Sequence, residues 1–170
     1  RRLLVVGGLY AAAHLAVLMA GIEQWVEGGE TVTYVGSEGA RFKDAARPFA
    51  DRVKVETPGY VGLDRLRALA ADSAALLYVR NPDALYQHKL IELLSLDRPV
   101  ISVPGESPEA HGIADALGAR LISCAEASDV AAGLTKAMAS GPVAVNRSRL
   151  VEYTWESQAM RLLAVLERGA

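Results

Sequence analysis

Along the chain the apolar positions switch repeatedly between short continuous runs and stripes at helical spacing. Leu3-Leu4-Val5-Val6 reads as a short strand ended by Gly7-Gly8. A helix is expected from Ala11 to Glu27, stopped by Gly28-Gly29. Thr31 to Val35 is rich in β-branched residues and predicts a second strand, closed by Gly36. Ala40 to Ala50 reads as a helix, and Val53-Lys54-Val55 as a third strand before the turn Thr57-Pro58-Gly59. Leu63, Leu66 and Leu69 then recur at helical spacing, and Ala74 to Val79 forms an unbroken apolar run, as a strand covered on both faces requires.

The second half repeats the alternation. Leu90, Leu93 and Leu94 mark a helix, and Pro99 opens the strand Val100 to Val103. Ser107-Pro108-Glu109 combines a cap, a first-turn proline and an early acid, so it predicts a helix start, and Gly118 ends that helix. Arg120 to Ser123 reads as a last strand, followed by helices over Asp129 to Met138 and Trp155 to Glu167. Thr154 caps the final helix, whose apolar stripe is Ala159, Leu162, Leu163 and Leu166. Ser140 to Ser148 reads as a short linker between the core and the final helices. Six βα repeats of this kind predict an α/β, Rossmann-like doubly wound fold, with a mostly parallel sheet of about six strands and helices on both faces.

Composition narrows the function. The 170 residues are 51% apolar, enough for a real core, and Lys+Arg (18) nearly balances Asp+Glu (20). That balance offers no basic face for nucleic acid. The lone Cys124 excludes an internal disulfide framework and a cysteine-built zinc site, and no metal site is expected. The most apolar stretch, Ala11 to Ile22, is too short to span a bilayer and contains His14. A cytoplasmic setting is expected, with peripheral membrane contact only through another domain. The chain begins at Arg1 without Met and reads as a piece of a longer protein.

In a doubly wound sheet a ligand sits beyond the carboxyl ends of the strands, where the strand order reverses. Strands one and four meet there, so the loops facing the crevice are Gly7-Gly8-Leu9-Tyr10 and Arg80 to His88. Gly7-Gly8 allows close backbone approach, but it is neither the GxGxxG of a dinucleotide site nor a P-loop. It reads equally as a glycine pair that ends a strand. The helix after His88 would offer N–H groups to a phosphate. Lys89 and Glu92, three apart on that helix, read either as a surface ion pair or as a cation and a carboxylate facing the crevice. In the second case Glu92 could accept from the two vicinal hydroxyls of a ribose. His14 reads as structural, His111 as solvated, Tyr78 as core, and Trp155 as a packing anchor rather than a sugar platform. Cys124 has no histidine beside it to make it a nucleophile.

At these residues the sequence resembles a known family, the donor-binding C-terminal domain of GT-B glycosyltransferases of the family-4 type. Val53-x-Val55, Gly59-Tyr60-Val61 and Ala71-Asp72 are similar to its strand, glycine turn and lead-in to the next strand. Lys89 to Ile101 resembles its Lys-Leu-Phe-Glu stretch followed by Arg-Pro-Val-Ile, and Tyr153-Thr154-Trp155-Glu156 resembles the start of its last helix. The resemblance implies that residues 1–145 bind a nucleotide-sugar. It also implies that residues 146–170 cross toward an N-terminal acceptor-binding domain of the same chain. The activity implied is transfer of a sugar from a nucleotide-sugar to a glycan, lipid or small-molecule acceptor, with retention and no obligatory metal or other cofactor.

By the same resemblance Glu92 holds the donor ribose, Tyr86, Gln87 and His88 lie in the phosphate loop, and Tyr60 and Val61 flank the base. Two positions depart from the family. Ala84 stands where it has a glutamate near the transferred sugar, and Leu9 to Leu15 lacks its Arg and Lys beside the pyrophosphate, which leaves His14 or Lys89 as substitutes. A non-catalytic binding module or part of a nucleotide-sugar epimerase are the alternatives.

Overall fold

The computed structural model of the chain describes residues 1–84 and 89–168. In chain order the elements are β1 (Arg2–Val6), α1 (Ala12–Trp25), β2 (Thr31–Val35), α2 (Gly39–Ala45), β3 (Lys54–Glu56), α3 (Leu63–Ala71), β4 (Ala75–Val79), α4 (Lys89–Leu94), β5 (Val100–Val103), α5 (Pro108–Leu117), β6 (Leu121–Ser123), α6 (Ala127–Ser140), α7 (Arg147–Leu150) and α8 (Trp155–Arg168). The six strands form one sheet in the order β3-β2-β1-β4-β5-β6, every neighbouring pair parallel. The doubly wound topology expected from the alternation is therefore present, and the order reverses between β1 and β4.

Alternation of side chains along the strands divides the core in two. Leu3 and Val5 face a layer built by α1, α2 and α6, with Leu18, Ile22, Phe42 and Leu134 buried there. Leu4 and Val6 face the layer of α3, α4 and α5, with Leu69, Leu90, Leu93 and Leu117. All five residues of β4 are buried, which explains its unbroken apolar run. At Gly21 a Cβ would lie 2.3 Å from Val130 Cβ, so α1 and α6 approach closely because that side chain is absent.

The local signals act as their chemistry dictates. The Ala110 N–H donates to Ser107 Oγ at 3.2 Å, and Gly118 ends α5 at φ 65°. The helix expected over Ala40 to Ala50 stops at Ala45 and continues as a 3-10 turn, Arg47–Phe49, because Pro48 has no N–H to extend the α ladder. The last core helix begins at Ala127 rather than Asp129. Asp129 is its third residue and accepts the Glu126 N–H at 3.1 Å, closing a capping box with Glu126 as cap.

The stretch read as a linker is stitched to the core. The Val143 N–H donates to the Asp97 carbonyl at 3.0 Å, the Val145 N–H to Asp97 Oδ1 at 3.2 Å, and the Asn146 N–H to the Leu117 carbonyl at 2.8 Å. Asp97 sits at φ 56° and also pairs with Arg147. This tie lies at the amino end of β5, opposite the crevice. Beyond it α8 buries none of its residues, and Trp155 is 84% exposed, so it is no packing anchor within this chain.

Candidate functional site

The reversal point brings two of the sequence candidates together. Gly7 ends β1 at φ 104°, a conformation that glycine adopts without strain, and its N–H donates to the Val35 carbonyl at 2.9 Å. A Cβ at Gly7 would stand 3.7 Å from Lys89 Nζ, so the Lys89 ammonium lies over the bare backbone of Gly7. Lys89 and Glu92 form no ion pair with each other among the described residues. Glu92 instead lines a groove of about 640 Å³ between α4, α5 and the start of α8, together with Glu109, Ile113, Trp155 and Arg161. The first turn of α4 thus sends one side chain to the end of β1 and another into that groove.

The rest of the β1 end is held from β2 and α2. The Tyr34 hydroxyl, buried, donates to the Gly7 carbonyl at 2.7 Å. At Gly36 a Cβ would come within 2.2 Å of that hydroxyl, which is why glycine follows β2. The Leu9 N–H donates to Glu38 Oε2 at 2.7 Å and Arg41 donates to the Leu9 carbonyl at 2.6 Å. The Leu9 N–H and the Arg41 guanidinium hold the Glu38 carboxyl below its ordinary range. Gly8 is packed under the ring of Tyr10, 3.0 Å from the position of a Cβ, so of the glycine pair it is Gly7 that faces Lys89.

Tyr60 is exposed and follows Gly59, which turns at φ 80°, whereas Val61 packs against the core layer of α3, α4 and α5. Burial raises the Tyr34 phenol above its usual range, the Glu38 N–H opposes the rise, and the Glu38 carboxylate and Tyr60 add to it. Tyr86, Gln87 and His88 lie outside the described residues. His14 is half-buried in the first turn of α1. Cys124 is buried, and burial, aided by Asp129, pushes its thiol up to about 11, which leaves it without nucleophilic character. Among the described residues no three His, Cys, Asp or Glu side chains cluster as a metal site would need. No described helix is long and apolar enough to cross a membrane.

Sequence reasoning missed a buried polar group beyond the ends of β4 and β5. Tyr78 donates to Glu106 Oε1 at 2.5 Å, and Arg80 Nε lies 3.3 Å from Glu106 Oε2. The Glu106 side chain is fully buried and that of Arg80 is 17% exposed. Burial, reinforced by the Glu106 hydrogen bond, holds the Tyr78 phenol far above its usual range. His111, read as solvated, is half-buried and its Nε2 is 2.8 Å from Ser123 Oγ. Tyr78 is in the core as expected but carries a polar contact there. The available signal was positional: charges of opposite sign in the loops that follow two adjacent strands, on the end of the sheet where doubly wound folds bind ligands.

No protein-family model and no curated protein matches the sequence. Solved structures do. AviGT4, a glycosyltransferase involved in avilamycin A biosynthesis, matches at 19% identity and a TM-score of 0.56, over 98% of this chain and 50% of that one. A protein from Listeria monocytogenes assigned as a UDP-N-acetylglucosamine 2-epimerase matches at 13% identity and 0.54, over 83% of this chain and 39% of its own. TarM matches at 14% and 0.51, over 96% of this chain and 34% of its own. The chain thus spans half or less of the length of each structure. The likeness is one of fold, and it is the GT-B half that the sequence motifs resemble.

Proposed function

We propose that the chain is the donor-binding lobe of a glycosyltransferase, holding a nucleotide-sugar whose sugar passes, with retention, to an acceptor on a second lobe. One observation carries the reading: the Lys89 ammonium stands over the side-chain-free Gly7 at the β1–β4 reversal. A diphosphate needs close backbone approach and a cation at the same point, and both are present there although the segment Leu9 to Leu15 has no lysine or arginine. Lys89 takes the neutralising role. Glu92, one turn along α4, accepts from the ribose hydroxyls, and the exposed Tyr60 after β3 supplies a face for the base. The uncovered stripe of α8 is the surface on which residues 146–170 meet the other lobe.

In this scheme the lobe binds and orients the donor, and the acceptor lobe closes the crevice and excludes water. The chain alone should bind nucleotide but transfer nothing. A second reading has support of its own: the likeness to the Listeria protein fits a donor lobe used in epimerisation. Ala84, where the family has a glutamate, fits a binding module without chemistry.

Isothermal titration with UDP, GDP and ADP-ribose tests the shared premise. Saturable binding of one of them, lost when excess inorganic pyrophosphate competes, is the expected result. Absence of binding to all three would overturn the donor-lobe reading and leave the inert module. Turnover of a nucleotide-sugar onto an acceptor by this chain alone would overturn the half-enzyme reading.

A further inference from the structure

The groove beside Glu92 has a lining that the donor contacts leave unused: Trp155, Glu109, Gln158 and Arg161. Resting on the donor-lobe reading, we propose that this groove is a carbohydrate subsite, in which one neutral sugar unit of a glycan acceptor lies on the Trp155 ring. Of the acceptor classes open to the donor lobe, this selects a glycan.

The lining combines apolar faces with hydrogen-bond acceptors. Ile91 and Ile113, both part of the core packing around α4 and α5, supply aliphatic surface, and the exposed Trp155 supplies a flat ring. Glu109 is exposed and forms no ion pair among the described residues. Gln158 donates from Nε2 to the Glu152 carbonyl at 2.6 Å, which leaves its amide oxygen as an acceptor. The start of α8 that carries Trp155 is held in place. Thr154 Oγ1 donates to the Val151 carbonyl at 2.9 Å and accepts the Ser157 N–H at 3.3 Å. A pyranose has the matching pair of surfaces, a face of C–H bonds for an aromatic ring and a rim of hydroxyls for carboxylate and amide oxygens. The volume of about 640 Å³ is that of a small-molecule cleft and exceeds one sugar ring.

Charge argues against the other occupants. Arg161 donates to Glu152 Oε2 at 3.2 Å, so its charge is already matched, while Glu92 and Glu109 would repel a phosphate. An apolar protein surface closing over the groove would strip water from two carboxylates without replacing it, which is costly. Hydroxyls of a neutral sugar keep both hydrogen-bonded. The helix itself divides the two roles: Leu162, Leu163 and Leu166 form the apolar stripe assigned to the second lobe, whereas Gln158 and Arg161 line the groove. Trp155 lies where these faces meet, one turn before Gln158 and two before Leu162. A ligand in the groove therefore has Glu92 and the donor ribose on one side and the second lobe on the other, which is where an acceptor must lie.

The test is saturation-transfer NMR on this chain with the methyl glycosides of glucose, galactose, mannose and N-acetylglucosamine. Each is titrated alone and in the presence of whichever of UDP, GDP and ADP-ribose the chain binds. At least one glycoside should bind saturably and keep its affinity within about two-fold at saturating nucleotide. It should also shift tryptophan emission to the blue, since of the two tryptophans only Trp155 is exposed. Trp155→Ala should abolish saturable binding, and Glu109→Gln should weaken it about five-fold. Both side chains are exposed, so neither change puts the fold at risk. Saturable binding of none of the four glycosides would overturn the inference and leave Trp155 as an anchor for the second lobe. Binding that survives Trp155→Ala would overturn it too, as would displacement of the glycoside by nucleotide, which would put the sugar in the place of the ribose. A chain that binds nucleotide but no glycoside removes this inference alone. A chain that binds a glycoside but none of the three nucleotides removes the donor-lobe reading and, with it, the assignment of the groove to an acceptor.

Discussion

Replacing Lys89 with alanine isolates the interaction on which the proposed donor site rests. Nζ lies 3.7 Å from where a Gly7 Cβ would be, so a phosphate oxygen resting on Gly7 would sit at about 4 Å from the ammonium. At that distance two unit charges attract by about 1 kcal/mol in bulk water and about 4 kcal/mol at an effective dielectric near 20. A crevice open on one side falls between these limits. The expected loss is about 2 kcal/mol, a weakening of Kd by about 30-fold. The fold should not notice. Lys89 is exposed and makes no ion pair among the described residues, so the stability change should stay within about 0.5 kcal/mol.

Titration at low and high salt gives the decisive signature. Screening shortens from about 10 Å at 0.1 M to about 3 Å at 1 M, so the gap between the two proteins should narrow as salt rises. A Lys89→Ala chain that is folded and binds nucleotide with unaltered Kd at low salt would refute the reasoning. A gap that ignores salt would do the same, because it would mean that Lys89 acts by packing and not by charge.

Three further outcomes are expected. Glu92→Gln should weaken nucleotide binding by about ten-fold with little change in melting temperature, since a hydrogen bond to a charged group contributes roughly 1.5–3 kcal/mol; calorimetric titration showing no change would remove Glu92 from the ribose. Gly21→Ala gains about 1 kcal/mol of helix propensity but drives a methyl to within 2.3 Å of Val130 Cβ and 2.7 Å of the Ala127 carbonyl. Overpacking of that kind costs about 1–3 kcal/mol, so urea denaturation should show a net loss. Glu56 is lowered to about 2 by Lys54 first and Arg2 second, so its contribution is complete above about pH 4.5 and is lost as pH falls through about 2. Because Lys54 is largely exposed, solvent screening limits that contribution to about 1 kcal/mol, and the stability gap between the parent and Glu56→Gln should close over that window in acid denaturation.

The sheet was legible because its signals are local and repeated. Strands buried on both faces must read as continuous apolar runs, and Ala75 to Val79 does so without exception. Cap and stop residues such as Ser107 and Gly118 act within a few residues of themselves, and both are where their chemistry places them. Less legible were the features that depend on partners far along the chain. The tie from Asp97 to Val143 and Val145 turns an apparent linker into a seam, and nothing in the composition of residues 140–148 announces a partner so distant in sequence. The same holds for Arg80 and Glu106, which lie in different loops and meet only because β4 and β5 are neighbours. At the site, spacing placed Lys89 and Glu92 on one helix face, but only the three-dimensional arrangement shows that they face different recesses.

The last helix shows how a sequence pattern and a fold can disagree usefully. Ala159, Leu162, Leu163 and Leu166 repeat at the spacing of a core-facing stripe, and in a complete domain such a stripe is covered. Here Leu162 and Leu166 are each 60% exposed and no residue of α8 is buried. Burying a leucine fully is worth about 1.5–3 kcal/mol, so three such side chains left in water forgo several kcal/mol that a partner surface would recover. Among the described residues, the two layers on the sheet have their cores filled by other helices. On the proposed reading, a surface of a second lobe covers this stripe. The structures that share the fold run on for as much length again or more beyond the part they share, which is where the proposed second lobe would supply that surface.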